Sequence, residues 1–191
     1  MTPPLLHCAN SAAIIGLPEA HFTMVRPGLV SYGLNPFAPD HPKYSFVVLN
    51  FKPVLSLTTQ VVLVRTITAG QTVGYNRQWR AKKPSTIALL PIGYGDGYRR
   101  GPHNAGKVLI NGQYAPIVGG VAMDQTVVDV TNIDGAVAVG TEVVLIGDQG
   151  RLSITANDIA REYHTINYEV VTALSDRVVR KFYNKKPLNN L

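Results

Sequence analysis

At 191 residues, 46% hydrophobic and 16% charged, the chain is long enough to bury a sizeable core and too apolar to be disordered or a coiled coil. No apolar run approaches the ~20 residues of a membrane span. The formal charge of +6 is lopsided: residues 1–95 carry eight Lys or Arg against Glu19 and Asp40, whereas residues 96–191 balance ten against ten. A basic half attracts an anionic small molecule as readily as nucleic acid. The aromatics form no RNP-type pair and no zinc-ligand spacing occurs, so neither nucleic-acid nor metal binding is expected.

Along the chain, Asn10 and Ser11 precede the small apolar run AAIIGL, a pattern that predicts a strand end turning into a short helix, which Pro18 helps to close. HFTMVRPGLVSYGL, residues 21–34, repeats the theme as a short strand, a turn at Pro27-Gly28 and another helical stretch. Two strand-to-helix transitions in succession suit the tail of a βα barrel. The three prolines of NPFAPDHPKYS, residues 35–45, predict a linker.

From about residue 48 the hydrophobic period changes. VLSLTTQVVLVRTI, STIALLPIGYG, GKVLING, QYAPIVGGV, QTVVDVTNI and TEVVLIGDQ are short runs rich in β-branched residues, punctuated by Gly, Pro, Asn and Asp. Closely spaced strands of this kind imply an antiparallel barrel or sandwich. Asn111-Gly112 between apolar residues predicts a type I′ hairpin. A helix is expected over about 155–163, with Thr155 as N-cap, Asp158 completing a capping box and Ile154 stapled to Ile159. A second helical turn is expected at NYEVVTAL.

Taken singly, the polar residues leave alternatives open. Asn10 and Ser11 read either as a helix cap or as donors to an anion at the helix start. RPGL, residues 26–29, reads as an ordinary turn with a solvated Arg26, or as a helix opening whose N–H groups at Gly28 and Leu29 hold a phosphate. Tyr75 in VGYNRQWR reads as packing or as an acid–base group. GYGDGYRR is glycine-rich without phosphate-loop spacing and reads as a turn. Met123 reads as core filler, and Tyr168 as one face of an amphipathic helix. His7 and Cys8 read as structural. Cys8, the sole cysteine, permits no internal disulfide; no secretory leader is visible at the start, and the expected compartment is the reducing cytoplasm.

In combination these segments are more specific. HCANSAA, RPGL, VGYNRQWR, LLPIGYGDGYRRG, APIVGGVAMDQTVVDV and TINYEV, in that order, resemble the C-terminal half of the pyridoxal-phosphate (PLP) dependent alanine racemases. The resemblance implies a mainly β fold: an antiparallel C-terminal domain over 48–191 with one or two short helices, preceded at 1–47 by the last βα units of a truncated (β/α)8 barrel. It implies interconversion of L- and D-alanine, supplying D-alanine for peptidoglycan, with Tyr75 as catalytic base on the L-alanine face. Racemisation needs two acid–base groups on opposite sides of Cα, and a tyrosine, which titrates near ~10 in water, needs a positive surrounding to serve as one.

By the same resemblance, Asn10, Ser11, Arg26, Gly28, Leu29 and Tyr168 would hold PLP. Arg26 would donate to the pyridine nitrogen, which keeps the ring a weaker electron sink than a carboxylate partner would. Tyr94, Met123 and Asp124 would line the partner subunit's substrate site in a homodimer. The usual setting of the tyrosine is closer to S-Y-G-x-x-Y, so no role carries over to Asn76 or Arg77. The family's Schiff-base lysine lies upstream of the matched region, and Lys43, Lys52, Lys82, Lys83 and Lys107 do not stand in its context. The chain is therefore expected to be inactive alone. Three readings stay open: part of a longer racemase, half of a split enzyme with a complementary barrel chain, or a non-catalytic β module. Serine or broad-specificity racemases share the architecture.

Overall fold

A computed structural model describes residues 3–37, 41–42, 51–102 and 104–183. Most of the expected linker, and the expected domain boundary at 47/48, lie outside the described residues. The first helix, α1 (Ser11–Gly16), starts where the cap pattern puts it: Asn10 Oδ1 accepts from the Ala13 amide at 3.0 Å. Pro18 then opens a 3-10 turn over Pro18–Ala20.

The two strands expected ahead of the N-terminal helical stretches do not form as regular strands. Extended segments run side by side instead: the Leu6 carbonyl accepts from the Thr23 and Met24 amides at 3.2 Å, and the Ala9 carbonyl accepts from Arg26 at 2.9 Å. The pairing is parallel, as in a barrel wall, but a few bonds between two segments do not make a continuous ladder. After Pro27-Gly28 the helical stretch is a single 3-10 turn, Leu29–Tyr32, closed by Gly33 at φ +72°. A side chain at Gly33 would also overlap the Lys52 carbonyl, so both backbone angle and close approach require glycine there.

The remainder is antiparallel β-structure. The strands are β1 (Leu57–Gln60), β2 (Leu63–Ile67), β3 (Thr72–Val73), β4 (Trp79–Arg80) and β5 (Ser85–Leu90). They continue with β6 (Lys107–Ile110), β7 (Gln113–Pro116), β8 (Thr126–Asp129), β9 (Glu142–Gln149) and β10 (Leu152–Ile154). A five-stranded sheet has the order β1-β9-β6-β7, with β10 also paired to β9; β2-β5-β8 form a second sheet and β3-β4 a two-stranded hairpin. Between β6 and β7, Asn111 and Gly112 both take positive φ, +50° and +70°, as a type I′ turn demands.

VLSLTTQVVLVRTI, one run in sequence, is two strands in two sheets. The Val61 amide donates to the Thr141 carbonyl and the next amide, of Val62, to the Leu89 carbonyl, both at 2.9 Å, so the chain changes sheets at this dipeptide. The two sheets and the C-terminal helices enclose one main core that includes Leu90 of β5, Val108 and Ile110 of β6, Val128 of β8 and Leu145 of β9. The alternate residues Leu109 and Val144 face the other way, against Ile154, with Leu152 and Ile159 packed alongside. β6 and β9 are thus covered on both faces, which is why they read VLI and VVLI rather than alternating. Each such Leu or Ile contributes on the order of 1.5–3 kcal/mol by leaving water.

Helix α2 (Ala156–Glu162) carries the expected capping box. The Thr155 side chain accepts from the Asp158 amide at 3.1 Å, and the Asp158 carboxylate accepts from the Thr155 amide at 2.9 Å. Helix α3 (Asn167–Thr172) follows. Its buried Asn167 donates to the Asn35 carbonyl at 2.9 Å and the Asn157 carboxamide oxygen at 2.7 Å, tying the C-terminal helices to the N-terminal segment.

Candidate active site

The residues singled out from sequence fall into two groups. The first lies at the N-terminal end. Ser11, 3% exposed, is buried at the start of α1, and its Oγ accepts from the Gly28 amide at 3.0 Å and the Val30 amide at 3.4 Å. The two helix openings that the sequence marked, NSAA and RPGL, therefore meet at one hydroxyl. That oxygen is the acceptor in both bonds, so the hydroxyl still has a proton to donate. A side chain at Gly28 would meet only Ser11 Oγ, at 3.7 Å, so the space in front of this backbone is open. Leu29 is buried in the main core and anchors the turn. Arg26 is exposed and its amide is spent on Ala9. Asn10 spends its carboxamide oxygen as the α1 cap.

Tyr168, on α3, is half-buried against the main core. Burial raises its pKa above the ordinary tyrosine value, so at neutral pH it is a neutral hydroxyl able to donate. Helix α3 is held to this end of the molecule by the Asn167–Asn35 bond.

The second group is formed by Tyr75, Tyr94, Met123 and Asp124, all exposed. Tyr75 tops the turn between β3 and β4 and is 77% exposed. Gly74 enters that turn at φ +80° and faces the Gly119–Gly120 backbone, with 3.5 Å between its Cβ position and Gly119 Cα. That backbone leads directly into Met123 and Asp124. The Tyr94 amide donates to the Ala122 carbonyl at 3.0 Å and the Gly95 amide to the Met123 carbonyl at 2.7 Å, which clips the GYGDG turn onto the same loop. Met123 is 57% exposed, so it is not core filler.

Several residues that secure this second group carry no signal in the sequence. Asp96 accepts from the Gly93 amide at 2.9 Å through one oxygen and meets Arg177 Nε at 3.3 Å through the other. Tyr98 is buried beside Tyr163; burial raises both pKa values, Tyr98's the more strongly. Arg99 pairs with Glu169, fastening the loop's end to α3. Arg177, Tyr163 and Glu169, the distant partners of Asp96, Tyr98 and Arg99, lie about 65 to 80 residues downstream, beyond any local periodicity. Beside the Tyr75 turn, a cleft of about 460 Å³ is lined by Arg65, Arg77 and Arg80 among others, and part of the surplus positive charge of the first half gathers there. Among the described residues no cluster of His, Cys, Asp or Glu has metal-binding geometry, and no helix is long and apolar enough to cross a membrane.

Comparison with known proteins decides the family. Residues 54–182 match the alanine racemase C-terminal domain, and residues 1–36 match the alanine racemase N-terminal domain. The chain belongs to the alanine racemase family. It is 46% identical over 177 residues to the alanine racemase of Clostridium novyi, an alignment covering 92% of this chain and 44% of that protein. The crystal structure of the Bacillus anthracis alanine racemase with bound L-Ala-P superposes with a TM-score of 0.85 at 38% identity, over 93% of this chain and 44% of that one. The Bartonella henselae alanine racemase, solved with covalently bound pyridoxal phosphate, gives 0.77 at 36% identity, over 88% and 44%. The chain thus spans less than half the length of the alanine racemases it matches.

The residues at the N-terminal end fit a phosphate-bearing cofactor such as PLP. The Ser11 hydroxyl, an acceptor in both its bonds, has a proton to donate, a side chain at Gly28 would meet only that oxygen, and Tyr168 on the neighbouring α3 is a neutral hydroxyl.

Proposed function

We propose that this chain is the C-terminal portion of an alanine racemase, in which Tyr75 exchanges a proton with Cα of alanine on the L face. The observation that carries the reading is the placement of Tyr75. An exposed tyrosine stands on a short turn whose Gly74 lies against the Gly119–Gly120 backbone, the segment that leads into the exposed Met123 and Asp124. An acid–base group needs a fixed position and an open approach, and this turn supplies both. The Ser11–Gly28 group is the second element of the reading. Ser11, Gly28, Leu29 and Tyr168 would hold the phosphate of PLP, Asn10 would support the helix start, and Arg26 would meet the pyridine nitrogen. PLP supplies, when bound, the electron sink that makes Cα–H acidic.

Residues 1–47 belong, on this reading, to the PLP-binding barrel and 48–191 to the β domain. The two groups serve different centres of a dimeric assembly, with Tyr75, Tyr94, Met123 and Asp124 presented to a barrel of the partner. That partner is either an identical full-length subunit or a complementary barrel chain carrying the Schiff-base lysine, and the setting is the cytoplasm.

The test is a racemase assay, D-alanine formation from L-alanine with added PLP, on the chain alone and mixed with a barrel segment of the same family carrying the lysine. Activity is expected only in the mixture and is expected to fall by about 10²–10⁴-fold with Tyr75→Phe. Turnover by the chain alone, or an active mixture indifferent to Tyr75→Phe, overturns the proposal.

A further inference from the structure

The turn that bears Tyr75 is strained. Asn76 and Arg77 both lie in the left-handed region, at φ +57° and +53°. Asparagine tolerates this region, so Arg77 carries most of the strain, which persists only where neighbours enforce it. Within the turn, the Arg77 amide reaches the Gly74 carbonyl at 3.3 Å, a long bond. The β3-β4 pairing, Val73 against Trp79, closes the turn at its base, and further bonds reach it from outside.

Asn104 supplies them. Its backbone amide donates to the Gly119 carbonyl at 2.9 Å, and its side-chain oxygen accepts from the Gly119 amide at 2.6 Å, so Gly119 is gripped on both sides. Its carboxamide nitrogen donates to the Gln78 carbonyl at 3.2 Å. Gly119 in turn lies against Gly74, the residue before Tyr75, while Gln78 follows three residues after it. One side chain therefore bonds the Gln78 end of the Tyr75 turn directly and meets the Gly74 end through Gly119, which belongs to the segment leading into Met123 and Asp124. Asn104 sits at φ +56°, which asparagine tolerates better than other non-glycine residues.

We infer that Asn104 is a positioning residue for Tyr75: its carboxamide locks the turn that bears the tyrosine to Gly119 and Gln78, and so fixes where the hydroxyl is presented. The inference rests on the racemase reading of Tyr75 for its catalytic half, while the locking itself is a property of this chain alone. The chemistry asks for a carboxamide in particular. An aspartate at 104 keeps the acceptor for Gly119 but turns a second oxygen toward the Gln78 carbonyl, whereas alanine loses both bonds.

Two measurements separate the halves. In the purified chain, amide exchange at Arg77 is followed by NMR in Asn104→Asp and Asn104→Ala, with the β9 amides as the control for global folding. Exchange at Arg77 is expected to rise about tenfold in both variants, the equivalent of one lost hydrogen bond, and exchange at Gly119 to rise only in Asn104→Ala. Unchanged exchange at Arg77 with intact β9 overturns the inference.

In the assembled racemase, kcat is expected to fall about tenfold through misplacement of the base, with KM little changed. The α-deuterium isotope effect is expected to rise with L-alanine but not with D-alanine, because only the Tyr75 step has been slowed. A loosened turn without that isotope signature overturns the positioning role. Should Tyr75→Phe itself leave racemisation intact, the racemase reading fails instead, and the catalytic half of this inference fails with it.

Discussion

Arg177 Nε lies 3.3 Å from Oδ1 of Asp96, whose other oxygen accepts from the Gly93 amide, so one carboxylate joins the chain after α3 to the loop that presents Tyr94. The Asp96 side chain is 13% exposed and that of Arg177 is 54%. The energetics are therefore carried by the buried carboxylate and its amide bond more than by the partly solvated ion pair. Asp96→Ala is expected to destabilise the chain by about 2 kcal/mol and Arg177→Ala by less than about 1 kcal/mol, measured by urea unfolding. Equal losses would mean that the ion pair, not the amide bond, holds the loop.

Gly93 has an extended backbone that any residue can adopt, yet a side chain there would overlap the Ala122 carbonyl oxygen and stand 2.6 Å from the Met123 carbonyl carbon. Gly140 is the opposite case: φ is +90° and nothing lies within 4 Å. Gly93→Ala is expected to cost about 3 kcal/mol or more by forcing the Tyr94 and Met123 loops apart, and Gly140→Ala about 1–2 kcal/mol through backbone strain alone. Denaturant midpoints of the two variants give the ranking, and a reversed order would refute the close approach of the two loops.

Tyr98 and Tyr163 predict alkaline sensitivity. Both folded-state pKa values are raised, chiefly by burial, so the native state holds these protons after the unfolded chain has begun to release them. Stability from this source is complete below about pH 10 and declines as pH rises through the raised values. In a titration followed at 295 nm, tyrosinate from this pair should lag behind the exposed tyrosines, and Tyr98→Phe should flatten the loss of stability above about pH 10. Ionisation of all tyrosines in a single step near the ordinary value would show that the pair is not sealed from water.

Ser11→Ala removes the acceptor of the Gly28 and Val30 amides without changing α1's own cap at Asn10. Amide exchange at Gly28 should rise about tenfold, matching ~1.4 kcal/mol, while the β sheets keep their protection. Unaltered exchange at Gly28 would mean that the two helix openings are joined by something other than this hydroxyl.

What could be read in advance was the local part of the structure. Asn111-Gly112 specified its turn because both residues accept positive φ, and Thr155 with Asp158 specified a helix start because the bonds close within four residues. Val61-Val62 was not legible. The change of sheet there uses two ordinary β-branched residues, and alternation says which side faces inward, not which strand is the neighbour. The site divides the same way. Ser11, Arg26, Gly28, Tyr75, Tyr94, Met123 and Asp124 were marked by a pattern of motifs, whereas Asn104 and Arg177 act through partners distant in sequence and look like loop residues until the fold is formed.

The position of β9 in the chain has a kinetic consequence. It is the central strand of the larger sheet, bonded to β1, β6 and β10, yet Leu57 of β1 waits for Ile146, about 90 residues later, which at ribosomal rates is roughly 4–18 s. Until then β1 and β6 present unpaired edges, and the loops bearing Tyr75 and Met123 rest on an incomplete core. Closure of that long-range pairing belongs to the slow, millisecond-to-second class of folding events. A nascent chain halted before residue 142 would expose strand edges rather than a half-built catalytic surface, and would be a substrate for chaperones before it was one for any partner.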